Sequence, residues 1–61
     1  MRFATYTDAV AFLTSDFRMP RSKARDLADL ARNGRTPNVP GTELRVFRDS
    51  DGCFGIAPDA F

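Results

Sequence analysis

A chain of 61 residues has room for one small domain with one modest core, because at this size only ~60% of the surface of the unfolded form is buried on folding. Nine basic and eight acidic residues leave a net charge of +1; the single cysteine cannot close an internal disulfide, and without histidine a Cys/His zinc cluster has no ligands. The start, MRFATYTDAV, lacks the apolar run of a signal peptide and no stretch is apolar enough to span a bilayer, so a soluble cytoplasmic protein is expected; six phenylalanines and a tyrosine are more aromatic area than so small a core readily hides, which makes a homodimer the expected state.

RFAT, residues 2–5, is a candidate N-terminal edge strand, short and with little alternation. Tyr6, Val10, Leu13 and Phe17 then recur at i, i+4, i+7 and i+11, one face of an α-helix placed at about residues 8–17. Thr7 is its expected N-cap, Asp8 meets the positive end of the dipole, and Tyr6 with Ala11 forms a hydrophobic staple. Pro20 breaks the pattern and suits only the start of a new helix, at about residues 21–33, whose apolar stripe is Ala24, Leu27, Ala28 and Ala31 with Leu30 at its margin. Asn33-Gly34 supplies the left-handed C-terminal cap. Two helices joined by three or four residues must turn back or cross sharply, which makes an αα-hairpin or a helix-turn-helix-like corner.

RTPNVPGT reads as a connection over residues 35–42, with Pro40-Gly41 in a type II turn. ELRVFRDSDGCFGIAP then reads as a β-hairpin at about residues 43–57. A two-residue Asp51-Gly52 turn sets Asp49 against Phe54 on the apolar face; a longer loop with Gly52 at a bulge sets Val46 against Ile56 and Arg48 against Phe54. The bulged register sorts charge from apolar side chains better and is preferred. It gathers Leu44, Val46, Phe54 and Ile56 on one face and leaves Phe47 on the other, exposed or at a contact. The expected fold is α+β, a two-helix hairpin packed on a C-terminal β-hairpin with a short N-terminal edge strand, in the order β-α-α-β-β.

Residues 18–35 hold six basic and two acidic side chains. Arg21, Arg25 and Arg32 fall within a sector of about 40° on the second helix, bordering the apolar stripe, with Arg18 before the helix and Arg35 after it. Such asymmetry is the footprint of a phosphate-neutralising surface. Asp29, at i+4 from Arg25 and i−3 from Arg32, is placed to neutralise both. No offset lays the apolar spacing of a DNA-binding helix-turn-helix over residues 8–32, and a net charge of +1 is small for a DNA-binding domain.

DSDG, residues 49–52, resembles a fragment of a calcium loop but lacks the third ligand and the closing glutamate, so no metal is assigned. Cys53 follows a turn and has no histidine to activate it, which suits a small half-buried hydrophobe rather than a nucleophile. Asp26 and Asp29 both lie on the polar side of their helix, where solvated carboxylates are ordinary. Neither a glycine-rich phosphate loop nor interior room for a pocket is evident, so neither catalysis nor a cofactor is expected. The expectation is a small non-catalytic regulatory or inhibitory binding protein of the phage or plasmid accessory type. Its contact residues are Arg18, Arg21, Arg25, Arg32 and Arg35, with Phe47 and Phe61 as apolar anchors. The alternative is a DNA- or RNA-binding regulator using the same arginine edge.

Overall fold

The computed structural model describes residues 1–58. They form β1 (Arg2–Phe3), α1 (Tyr6–Asp16), α2 (Arg21–Arg32), β2 (Arg45–Arg48) and β3 (Phe54–Ala57). The strands make one antiparallel sheet in the order β1-β3-β2. Both helices pack on one face of it, α1 against β1 and β3, α2 against β2 and β3. This is the expected α+β layout, and the N-terminal strand is real: besides pairing Arg2 with Gly55 and Phe3 with Phe54, the chain start accepts from the Ile56 N–H on the Met1 carbonyl at 2.9 Å.

α1 begins two residues earlier than the periodicity implied. Thr5, not Thr7, is the N-cap, its Oγ1 accepting from the Asp8 N–H at 3.1 Å. The earlier start places Tyr6 inside the first turn, where its ring meets Phe54 edge-on at 6.0 Å, and this contact replaces the expected staple with Ala11, which is exposed. α2 starts at Arg21 as Pro20 dictates. It ends at Arg32, where Gly34 at φ +88° lets the Gly34 and Arg35 N–H groups donate back to the Ala31 and Leu30 carbonyls. Ala24, Leu27, Ala28 and Ala31 are all buried, and Leu30 is 39% exposed.

The hairpin adopts the bulged register, Val46 opposite Ile56 and Arg48 opposite Phe54. The Asp49 carboxylate ties its loop by accepting from the Asp51 and Cys53 N–H groups at 2.9 and 3.1 Å. Leu44, Val46, Phe54 and Ile56 join the helices in one core. Burial there removes apolar area from water at ~25 cal/mol per Å², the main favourable contribution in a domain this small.

Two expectations are corrected. The connection over residues 35–42 contributes Val39, which is 0% exposed and fills the core. Segment 37–39 runs along the outer edge of β2, with the Val46 N–H donating to Pro37 and the Val39 N–H to Leu44, and the Val39-Pro40-Gly41-Thr42 turn closes it, Gly41 at φ +77°. Phe47 does lie on the sheet face away from the helices, but it is 9% exposed rather than open to solvent. Its ring occupies the space above Gly55, where a Cβ would come within 2.5 Å of the Phe47 Cζ. A missing side chain on β3 thus shelters the aromatic on β2.

The aromatic excess is spread over several contacts. Phe12 packs on Phe3 at 4.9 Å in a tilted arrangement and meets Phe17 at 5.6 Å along the flank of α1, half-buried, while Phe54 is in the core and Tyr6 packs against it. Among the described residues no helix is long and apolar enough to cross a membrane. Phe61 lies outside the described residues.

Candidate functional site

The basic residues of the second helix do not act as one edge. Arg32 lies 4.7 Å over the Tyr6 ring and donates to Asp29 at 3.0 Å, so it serves to hold α2 against the start of α1. Asp29 is therefore spent on Arg32, and it forms no ion pair with Arg25, contrary to the double role its spacing suggested. Arg35 sits beyond the far end of α2, whose own length from Arg21 to Arg32 is about 16 Å at about 1.5 Å per residue. Phe47 is on the opposite side of the sheet from both helices, so it shares no surface with the arginines.

Arg21 and Arg25 remain together, one turn apart on the flank of α2 that faces α1, and neither has a carboxylate partner among the described residues. Between them and the exposed flank of α1 lies a groove of about 290 Å³ lined by Tyr6, Thr7, Val10, Ala11, Arg21 and Arg25. Val10 and Ala11 supply apolar surface, Thr7 and Tyr6 hydroxyl groups, and the two guanidinium groups positive charge. Thr7 and Ala11 fall at i and i+4, and as small side chains they leave the space open. Sequence reasoning did not single out these α1 residues. The available signal was a small residue, Ala11, exposed on a helix whose other exposed positions are polar.

The corner that leads into this groove departs from several local rules. Arg18, which follows the C-cap residue of α1, has φ +52°, a left-handed conformation that costs a non-glycine residue about 1–2 kcal/mol. The N-cap of α2 is Pro20, which provides no side-chain hydrogen bond, and the first turn carries no acid. Instead Arg21 and Lys23 stand in the first turn, where the helix dipole is already positive, and Arg25 follows one turn after Arg21. Local departures of this kind concentrate where function rather than stability selects the residue.

A larger surface recess, about 420 Å³, is lined by Asn38, Thr42, Glu43, Arg45 and Pro58. Its polar groups are mostly engaged: Asn38 Nδ2 donates to the Val39 and Thr42 carbonyls, Thr42 Oγ1 to Val39, and Arg45 to Thr36. It reads as the wall of a structural turn. The third charged cluster is at the hairpin loop, where Arg2 donates to Asp49 at 2.7 Å and lies 3.5 Å from Asp51. Partial desolvation pushes the Asp49 carboxyl up, but the Cys53 and Asp51 N–H donors and the Arg2 charge together outweigh it and hold the group below the usual carboxylate range. The Asp49 charge in turn raises Arg2. Arg2 also faces the half-buried Cys53 thiol. This cluster fastens β1 to the hairpin, with the Asp49 carboxylate directed at Arg2 and at the loop's own amides.

No protein-family model, no curated protein and no solved structure matches the chain. The α1–α2 groove is the candidate site on physical grounds: it joins arginines that have no carboxylate partner among the described residues to apolar surface, and Tyr and Arg are the residues enriched at binding hot spots.

Proposed function

We propose that this chain is a small cytoplasmic, non-catalytic protein of regulatory or inhibitory type, which acts by occupying a protein partner through the α1–α2 groove. The observation that carries the reading is the pair Arg21 and Arg25, without carboxylate partners among the described residues, bordering an apolar floor made of exposed Ala11 over the largely buried Val10. Charge at such a site steers association, and the apolar floor supplies affinity. A surface that follows a nucleic-acid backbone relies on many phosphate contacts; here Arg32 is neutralised by Asp29, and Asp26 shares the exposed side of α2.

The test is capture from lysate of the source cell on the immobilised full-length chain, with and without nuclease, beside the Arg21→Glu/Arg25→Glu bait. A protein that survives nuclease and is lost from the variant supports the reading. Material that disappears with nuclease assigns the arginines to phosphate and overturns it, as does a protein retained equally by both baits. Salt checks this independently: phosphate binding falls log-linearly with salt, whereas an interface with an apolar floor weakens much less.

The reading includes self-association, supported by the 67% exposure of Met1 on the same face of the N-terminal strand as Phe3, which continues into Phe12 and Phe17. Sedimentation equilibrium checks it: a monomer at all concentrations removes the dimer from the reading and leaves the groove untouched.

A further inference from the structure

We propose that the α1–α2 groove receives a short acidic segment of the partner, one Asp or Glu carboxylate held between Arg21 and Arg25 and an adjoining aliphatic side chain laid on Val10 and Ala11. This rests on the reading of the groove as the contact surface and adds the chemistry of what fills it. Three features of the groove specify the occupant.

The first is size. At about 290 Å³ the groove is just below the ~300–1,000 Å³ of pockets that enclose drug-sized ligands, so it takes one or two side chains rather than a whole helix. The second is charge. Arg21 and Arg25 stand at i and i+4, with Cβ atoms about 5–6 Å apart, close enough for both guanidinium groups to converge on one carboxylate. Each presents donors in a planar fork that matches a carboxylate bidentately. No acidic side chain lines the groove, and Asp29, the nearest acid along α2 on that side, already accepts from Arg32. The third is the floor. Exposed Ala11, with the narrow strip of Val10 left open by the core (4% exposed) and the part of the Tyr6 ring not covered by Arg32, offers apolar surface that an inorganic phosphate or a phosphodiester leaves unused, while a carboxylate next to an aliphatic side chain covers it. Thr7 on the α1 wall adds a hydroxyl donor for the second carboxylate oxygen.

The experiment is selection of a random peptide library on the immobilised full-length chain, followed by fluorescence-anisotropy titration of the selected peptide. The expected consensus pairs Asp or Glu with a neighbouring Leu, Ile or Val. Replacing that acid by its amide, or using the Arg21→Ala/Arg25→Ala chain, weakens binding by about tenfold or more, the loss of a charge-assisted contact. Ala11→Glu places a carboxylate inside the groove at an exposed position, so it abolishes binding while the circular dichroism spectrum is unchanged. Arg21→Lys/Arg25→Lys keeps the charge without the fork and binds between the two extremes.

A library that yields no consensus, a consensus without an acid, or a peptide whose affinity ignores either the amide or the arginine variants overturns the inference. A short thymidine oligonucleotide that displaces the peptide below the peptide's own Kd also overturns it. Failure here combined with Arg21- and Arg25-dependent capture of a protein means the partner uses a different surface chemistry, and the function reading stands. Failure of both removes the groove as the site.

Discussion

At the start of α1, Thr5 caps the helix at 3.1 Å and Asp8 lies in the first turn; α2 starts at Pro20 with no side-chain cap, no acid, and Arg21 in its first position. The helix ends differ in the opposite sense: after α2 the left-handed position is Gly34, after α1 it is Arg18. Both rule-breaking termini meet at the α1–α2 corner, and both conforming termini lie at the other end of the helix pair. The two ends therefore answer to different demands. The conforming end stabilises the fold with caps and the Arg32–Tyr6 contact while its Tyr6 and Thr7 also line the groove, and the corner adds the positive charge of Arg21 that the isolated chain does not need.

The largest expected effect comes from taking away what anchors both helices alike. Leu13 is fully buried in the core, and Leu13→Ala leaves a cavity that costs about 2–5 kcal/mol, enough to unfold much of so small a domain in a urea titration. A loss below about 1 kcal/mol shows that the helix layer collapses onto the gap. Thr5→Ala acts on the conforming end alone and lowers stability by about 0.5–2 kcal/mol. The same substitution at Thr7, which caps nothing, leaves the urea midpoint unchanged and weakens peptide binding instead.

The corner responds in the other direction. Arg21→Glu replaces a cation by an anion at the positive end of the α2 dipole and raises stability by about 0.3–1 kcal/mol while binding is lost. Arg18→Gly relieves the left-handed residue and raises stability by up to about 1 kcal/mol. If either variant destabilises the chain, the corner is part of the fold's own support and the contrast between the two ends fails.

The smallest effect is at the hairpin loop, outside both ends. The folded Asp49 carboxyl lies below its unfolded value of about 3.9, so the native state binds fewer protons, and the stabilisation is present above that value and lost as pH falls through the folded one. Asp49→Asn keeps an oxygen for the Asp51 and Cys53 donors but cannot titrate. The variant's urea midpoint is therefore flatter than that of the wild-type chain between about pH 5 and pH 2. Equal slopes mean that Asp49 does not contribute to the acid dependence.

Much of the fold was legible because it depends on periods and backbone chemistry. The Ala24, Leu27, Ala28, Ala31 stripe, the helix start at Pro20, the Gly34 cap and the bulge at Gly52 each follow from a neighbouring residue or a fixed spacing. The misses share a different cause. Thr5 and Thr7 cap equally well locally, and the choice of Thr5 goes with tertiary contacts of the first turn, Tyr6 with Phe54 and with Arg32. Val39 sits among prolines that interrupt any periodicity, yet β2 pulls it into the core by pairing at its outer edge. Phe47 reads as exposed or at a contact, because alternation assigns a face and says nothing of what covers that face; its low exposure goes with the room that Gly55 leaves for its ring.

The candidate site divides along the same line. From the sequence alone came the excess of arginine over residues 18–35, the sharing of one flank by Arg21, Arg25 and Arg32, the order of elements and the hairpin register, all properties of one segment or of two adjacent ones. Asp29 beside Arg32 also followed from spacing, but only the tertiary structure decided that Arg32 lies over Tyr6, that Arg35 and Phe47 stand elsewhere, and that Arg21 and Arg25 border Thr7, Val10 and Ala11. Those facts depend on how closely and at what rotation α1 meets α2. Small alanines permit that approach, but packing of the whole core against the sheet selects it.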